Sequence, residues 1–310
     1  MPTISVLTSI YNETPQEIFQ AVRSIQGQTF TDWELILVND HPGRQELEEL
    51  LASLALTDPR IRFLANPKNL GLARSMNRAA AAAQGRYLAR MDADDISAPR
   101  RLEEELALLI REDCGLVCCR FQTIDEGGQI LSQESPYYTS RQLQALLPFR
   151  NIIHHPTVLM QKELFFQAGG YRPYPCAQDY DLWLRLRQMQ VKMAMHQEVL
   201  FFYRIRGRST TGQRRYLQAL TLNYLREAFR KEYKTRTELP FPDAYAAYLR
   251  RHGYHRCRSQ NRFDKATYLL QNSWKSSPAK RLCLQTQAAF LSGVYRRNFL
   301  YQIQAKRLKI

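Results

Sequence analysis

Asp92, Asp94 and Asp95 stand together in the segment ARMDADDIS. Three carboxylates this close repel one another unless a cation neutralises them, and hard oxygen ligands of this kind suit Mg²⁺ or Mn²⁺. A cation held by a few carboxylates commonly shares its coordination sphere with phosphate oxygens. The cluster therefore predicts a metal-assisted site for a phosphate ester. The structural alternative is a set of helix-capping acids ahead of Pro99, satisfying free backbone N–H groups.

The elements around the cluster follow from periodicity. GRYLARM reads as a buried strand that delivers the acids at its end. Upstream, residues 3–8 (TISVLT) and 61–65 read as strands, and WELILVND at 33–40 is a continuous apolar run ending in an acid. Helices are expected between them. The first opens on a capping box, Thr14 to Glu17 with Pro15 at the first helical position. The second carries Leu47, Leu50, Leu51 and Leu54, and the third runs over about 72–84 to Gly85. This alternation predicts an α/β fold with a parallel, doubly wound sheet. Such sheets bind ligands beyond the carboxyl ends of their strands, so Asp40 and Asp92 should meet in one crevice.

After a helix over 101–111 the rhythm changes. A hairpin is expected over 116–132 around Asp125-Glu126-Gly127-Gly128, then a strand within 152–160 and a short helix into Gly169-Gly170. A helix around 179–190 and a strand near 199–204 follow. From about residue 212 onward the pattern is helical, rich in Tyr and Arg.

Charge divides the chain unevenly. Residues 1–200 hold 20 Lys and Arg against 24 Asp and Glu, a net of −4; residues 201–310 hold 24 against 5, a net of +19. This asymmetry suggests one region facing small anions and another facing an extended anionic surface. No run approaches the ~18–20 apolar residues of a spanning helix, and the start lacks a basic, then apolar, leader pattern. The six cysteines form no CxxC pair and read as reduced thiols. A cytoplasmic protein is expected, neither secreted nor integral.

Seven segments in order carry a family resemblance: SVLTSIYNE, LVNDHP, NLGLARSMNRA, RYLARMDADD, HHPTVLMQKELFFQAGGYR, AQDYDLWLRL and FYRIRGRST. On these the chain resembles glycosyltransferases of family 2, which have the GT-A fold, over roughly residues 3–212. The resemblance implies a GT-A domain over 1–212, with a Rossmann-like, mostly parallel sheet flanked by helices, and a basic, mainly helical region over 213–310. It implies transfer of a sugar from a nucleoside-diphosphate donor, a UDP-sugar as the first expectation, to an acceptor hydroxyl with inversion. The acceptor would be a glycan or lipid-linked molecule of bacterial-type cell-envelope polysaccharide synthesis, and the cofactor a Mg or Mn cation.

Carried over by position, Thr8, Tyr11 and Asp40 would line the nucleoside pocket, with Asp40 on the base. Arg74 would reach the base or a phosphate. Asp92 would lie near the ribose and Asp94 would lead the metal ligation, with Asp95 beside them. Asp179 would be the general base. Glu13, His155 and Gln178 are secondary candidates. Elementary chemistry agrees: the departing diphosphate gathers charge that a divalent cation offsets, and the acceptor hydroxyl needs a carboxylate to take its proton. One base opposite the leaving group gives a single in-line displacement, the logic of inverting glycosidases with a hydroxyl in place of water.

Each position has a structural alternative. Asp40 could cap a helix, Tyr11 could only pack, and Asp181 pairs with Arg185 at i+4. Trp33 and Trp183 read as core aromatics. Three departures from the family pattern stand out: His41-Pro42 replaces a Gly-Ser turn, Gln178 replaces an acid beside Asp179, and Arg206 stands where relatives often carry His. Arg cannot ligate a cation but grips phosphate bidentately, so Arg206 is expected to hold the diphosphate and to weaken metal dependence.

The basic region mixes Tyr, Phe and Leu with Arg and Lys, and Leu284, Ala288, Leu291, Tyr295 and Phe299 fall along one stripe. It is either a helical annex packing on the catalytic domain or an amphipathic surface docking peripherally on the anionic inner face of the membrane. A nucleotidyltransferase would want a Gly-rich phosphate loop with an early Lys or Arg, and SIYNETP offers none. A nucleic-acid-binding protein would use the basic tail, but no recognised motif accompanies the charge, so no nucleic acid is expected. Presence of both Asp94 and Asp179 argues against a pseudoenzyme.

Overall fold

Strands of continuous apolar character meet in one eight-stranded sheet, whose first four members pair in parallel in the order β3-β2-β1-β4. They are β1 (Ile4–Ile10), β2 (Trp33–Asn39), β3 (Ile61–Ala65) and β4 (Tyr87–Arg90). All seven residues of β2 are buried, as expected for a parallel strand covered on both faces. The crossovers are α1 (Pro15–Gln26), α2 (Gln45–Thr57) and α3 (Leu72–Ala82). The Thr14–Glu17 capping box is formed, with both reciprocal hydrogen bonds present. Residues 1–206, 215–235, 243–254, 257–273 and 277–306 are described by this computed structural model.

The later strands depart from an all-parallel sheet. β7 (Val158–Gln161) runs antiparallel between β4 and β6 (Leu116–Ile124), and β8 (Met193–Arg204) lies parallel to β6. The two-residue β5 (Ile96–Ser97) closes the order antiparallel to β8. The sheet is therefore mostly parallel, with β7 and β5 reversed. The expected hairpin reduces to a turn at 125–128 and one isolated bridge, Ile124 with Ile130. The returning segment lies along the edge of β6 opposite β8, where Leu131 and Ser135 donate their N–H groups to the Thr123 and Phe121 carbonyls. β8 begins at Met193, earlier than expected, because Gln197 and Glu198 are exposed and interrupt the apolar pattern.

Four more helices belong to this part of the chain: α4 (Arg101–Arg111), α5 (Ser140–Leu146), α6 (Lys162–Gln167) and α7 (Gln178–Gln188). One hydrophobic cluster runs from Ile4 through Trp33, Leu51 and Leu102 to Phe201. Trp33 and Trp183 are both fully buried.

The chain divides into two compact units, residues 1–144 with 152–207, and residues 145–151 with 208–310. The described part of the second contains α8 (Arg215–Thr235), α9 (Asp243–Arg251), α10 (Cys257–Ser273), α11 (Pro278–Leu291) and α12 (Gly293–Lys306). Its core gathers Tyr216, Leu220, Phe263 and Val294, packed against Tyr248, Tyr254 and Tyr295. The stripe read from Leu284 to Phe299 is not continuous: the extended backbone of Ser292 breaks it into two helices. Among the described residues no helix is long and apolar enough to cross a membrane.

Candidate active site

β4 ends at Arg90, Met91 donates its N–H to the Leu7 carbonyl of β1, and the chain then turns through the acidic loop. Carboxylate oxygens of Asp92, Asp94 and Asp95 all lie within 4.8 Å of one another. Asp92 is partly exposed and Arg90 reaches to 2.5 Å from its Oδ1. Asp94 is 9% exposed and Asp95 fully buried. Burial first, then the Asp92 charge, pushes Asp94 up to about 7, against the opposing pull of Arg206. The same causes, burial and then Asp92 and Asp94, hold Asp95 well above the usual carboxylate range.

Two arginines at the end of β8 close over this loop from more than 100 residues away. Arg204 is 1% exposed. Its backbone N–H donates to Asp95 Oδ1 at 2.8 Å and its Nε donates to the Asp94 carbonyl at 2.7 Å. Its remaining donors reach the carbonyls of Asp125 and Glu126 and the amide oxygen of Gln20. Arg204 is a positioning residue that fixes the backbone carrying the acids. Arg206 Nε lies 2.7 Å from Asp94 Oδ2, with Glu13 at 3.3 Å and Glu17 at 3.5 Å. The Nε–Asp94 contact lacks hydrogen-bond alignment, so it acts as an ion pair rather than a directional bond. The sequence assigns no role to Arg90 or Arg204 and only a capping role to Glu17, although Arg90 stands two residues before Asp92 and Arg204 two before Arg206.

β2 and β4 flank β1 in parallel, so Asp40 and Asp92 leave the same edge of the sheet. Asp40 is 2% exposed and its carboxylate organises the loop before α3. Oδ1 accepts from Asn66 Nδ2 at 2.8 Å and from the Leu70 N–H at 2.7 Å; Oδ2 accepts from the Gly71 N–H at 2.9 Å. Of about four lone-pair sites, one on Oδ2 is left for a ligand. Tyr11 is 41% exposed and packs on His41, ring centroids 4.8 Å apart. Its N–H donates to Glu13, and its carbonyl meets His41 Nδ1 and Arg44. The His41 that replaces a small turn residue is thus a wall for Tyr11. Thr8 is 3% exposed and borders a void of about 10 Å³ with Ile18, Val22 and Met91, so its side chain belongs to the core face of β1. Arg74 is exposed in the first turn of α3, with no ion pair among the described residues.

On the other side of the acidic loop sits a buried polar group. His155 Nε2 lies 2.8 Å from the Tyr171 hydroxyl, and burial holds His155 well below its ordinary pKa. Tyr171 is pinned by Asn77, whose amide accepts from the Tyr171 N–H and donates to its carbonyl, both at 2.8 Å. Gly170 makes this possible: at φ 64° a Cβ there would stand 2.8 Å from Asn77 Oδ1. Burial raises the Tyr171 hydroxyl pKa, Arg90 opposes, and the charges of Asp179 and Asp92 raise it further. The charges of Asp179 and of the acidic loop thus both act on the same phenol. Asp179 occupies the first turn of α7, half-buried, beside buried Gln178. Ala177, before them, is held at φ 57°, a left-handed conformation unusual for a residue with a Cβ and typical of constrained sites. Asp181 is paired with Arg185 at 2.6 Å and Arg172 at 3.6 Å.

The residues present fit a divalent cation. Asp95 Oδ2 is buried without a hydrogen-bond partner among the described residues, and burial followed by neighbouring carboxylate charge raises the pKa of Asp94 and Asp95. All-oxygen donors suit Mg²⁺ or Mn²⁺.

Against this geometry, a sequence model of glycosyl transferase family 2 matches residues 5–167. An uncharacterized glycosyltransferase of Methanocaldococcus jannaschii is 32% identical over 209 residues, 67% of this chain and 72% of that protein. The O-antigen biosynthesis glycosyltransferase WbnJ of Escherichia coli is 30% identical over 193 residues, 61% of this chain and 75% of its own. Among solved structures, residues 1–349 of S. aureus TarS in complex with UDP-GlcNAc superpose with a TM-score of 0.61 at 15% identity, covering 98% of this chain and 89% of that one. The Pyrobaculum calidifontis mannosyltransferase PcManGT, in complex with GDP-Man and Mn²⁺, superposes with a TM-score of 0.60 at 18% identity, covering 98% and 87%. At such identities these neighbours speak to the fold.

Proposed function

The chain belongs to glycosyl transferase family 2, and from that premise we propose that it moves a sugar from a nucleoside-diphosphate donor to an acceptor hydroxyl by one in-line displacement with inversion. The observation that carries this reading is the strand-end carboxylate cluster with Arg206 at Asp94.

Asp94 and Asp92 would hold the divalent cation, which supplies Lewis-acid neutralisation of the diphosphate as the glycosidic bond breaks. Arg206, already beside Asp94, adds a fixed positive charge for the leaving diphosphate. Asp179 takes the proton from the acceptor hydroxyl as the oxygen attacks the anomeric carbon. Tyr11, with the remaining acceptor site of Asp40, lines the nucleoside side; Arg74, exposed in the first turn of α3, meets the base or a phosphate. Thr8 contributes by supporting β1 from the core.

Solved neighbours hold UDP-GlcNAc and GDP-Man, and a UDP-sugar is the donor proposed first here. A relative named for O-antigen biosynthesis supports an acceptor in cell-envelope polysaccharide or a lipid-linked glycan. The division of labour proposed is a catalytic region over 1–212 and a basic helical region over 213–310. The net +19 of residues 201–310 supports peripheral contact with an anionic membrane face, where each basic group is worth about 1 kcal/mol.

The test is thermal-shift binding against UDP, GDP, dTDP and CDP, each with and without Mn²⁺. At 100 times its dissociation constant a ligand of the folded state adds about 2.7 kcal/mol. A shift with one nucleotide, lost in Asp94→Ala, is expected. No shift with any of them overturns the reading.

A further inference from the structure

The helical unit holds a partly open cavity of about 130 Å³, bordered by Tyr216, His252, Ser259, Arg262, Ser292 and Arg297. A single buried water needs roughly 10–15 Å³ by the same measure, so the space admits a group the size of an oxyanion. We propose that this cavity binds a phosphoryl group, held by Arg262, Arg297, the Ser292 hydroxyl and the first amides of α12. The argument rests on this unit alone and is independent of the sugar-transfer reading.

The donors come from separate elements. Ser292 caps α12, accepting the Arg296 N–H on its carbonyl, and is 6% exposed. Its own hydroxyl borders the cavity and has no hydrogen-bond partner among the described residues. Gly293 and Val294 border the cavity and begin a 14-residue helix whose first turn holds no acid, so its first N–H groups have no intrahelical acceptor and its positive dipole end no acid of its own. Ser259 lies in the first turn of α10, also without an acid, and Arg262 follows three residues later on the same face. Arg262 is exposed and has no ion pair among the described residues.

Arg297 is only partly committed. It donates to Glu227 Oε1 at 3.0 Å and to the Tyr248 hydroxyl at 2.8 Å, and lies 3.3 Å from each ring nitrogen of His252. Glu227 offsets one positive charge, and Arg262 leaves the cavity with an excess. Burial, then Arg297 and Arg251, push His252 down to about 4, so it stays neutral at physiological pH and adds no charge of its own. Two guanidinium forks, a hydroxyl and helix amides offer more donors than a planar carboxylate can accept, whereas a tetrahedral dianion can engage them together. Soluble phosphate esters and phosphatidate headgroups share this chemistry.

Full-length protein with ¹³C-labelled histidine gives the readout, the His252 resonance being assigned by its loss in His252→Gln. Inorganic phosphate, titrated at constant ionic strength, is expected to move that resonance saturably. Arg262→Gln, at an exposed position that leaves the melting temperature intact, should weaken the effect about tenfold, the scale of one charge-assisted contact. Ser292→Ala tests a second donor. Binding to phosphatidate vesicles that Arg262→Gln weakens and phosphate competes away assigns the phosphoryl group to lipid. A phosphate response without vesicle binding assigns it to a soluble ester. A His252 resonance unmoved by either, or both variants responding like the unaltered chain, overturns the proposal.

Discussion

Arg206 Nε stands 2.7 Å from Asp94 Oδ2, bringing the guanidinium of β8's exit against the most central acid of the β4 loop. Glu13 and Glu17 hold the same guanidinium from α1 and the turn before it. One side chain thus meets acids from the β4 loop, from α1 and from the turn before it, and it supplies positive charge where a divalent cation would also be drawn.

Arg206→Ala is expected to weaken nucleoside-diphosphate affinity about tenfold, and Arg206→His to steepen the dependence of that affinity on Mn²⁺. Calorimetric titration of UDP with and without Mn²⁺ measures both. Unchanged donor affinity in the alanine variant would contradict a role at the diphosphate.

Asp179→Asn should lower kcat by about 10²- to 10⁴-fold, the usual worth of a positioned general base, and leave donor affinity unaltered. The isosteric amide preserves the first turn of α7, so melting temperature should not move. A parallel loss of donor binding would mark Asp179 as a structural residue.

Cation binding should depend on pH through Asp94, whose pKa is pushed up to about 7 by burial and then by Asp92. A protonated carboxylate does not ligate, so cation affinity falls as pH drops below about 7 and levels off above it. For the metal-free protein the sign is opposite: a raised carboxylate pKa contributes stability that is lost as pH climbs from the unfolded value, near 4, through about 7. Mn²⁺ should accordingly raise the melting temperature more at pH 8 than at pH 6. Equal shifts at the two values would exclude Asp94 as the titrating ligand.

His154 stacks on Phe121 at 4.3 Å and meets Tyr203 edge-on at 4.5 Å, with Nε2 buried and unpartnered. Burial lowers its pKa from 6.5 to about 4, so it favours the folded state above pH 6.5 and that contribution is lost as pH falls through 4. The linkage amounts to about 3 kcal/mol at its limit. His154→Phe keeps the aromatic sandwich and removes the titration. Urea unfolding at pH 7.5 and 4.5 should show a smaller pH difference in the variant; an identical difference would place the proton elsewhere.

Local information was sufficient for much of this molecule. The apolar run of β2, the capping box at Thr14 and the helix over 101–111 are legible because strand and helix periods and end-caps act between near neighbours. The placement of Asp92, Asp94 and Asp95 at a strand end is legible for the same reason. Order along the sheet is another matter. β7 reversed beside β4, and β8 laid parallel to β6 from about 75 residues further along, are decided by which surfaces can be covered together.

The sequence by itself determined the alternation of strands and helices, the chemistry of the acidic loop and the basic character of the last third. Only the tertiary structure decided that Arg204 would lock the loop's backbone and that Arg206 would face Asp94. Those contacts join residues separated by about 110 positions. No local period carries such a pairing; it arises when the sheet closes and buried charges must find partners or remain unpaired in a medium of low polarity.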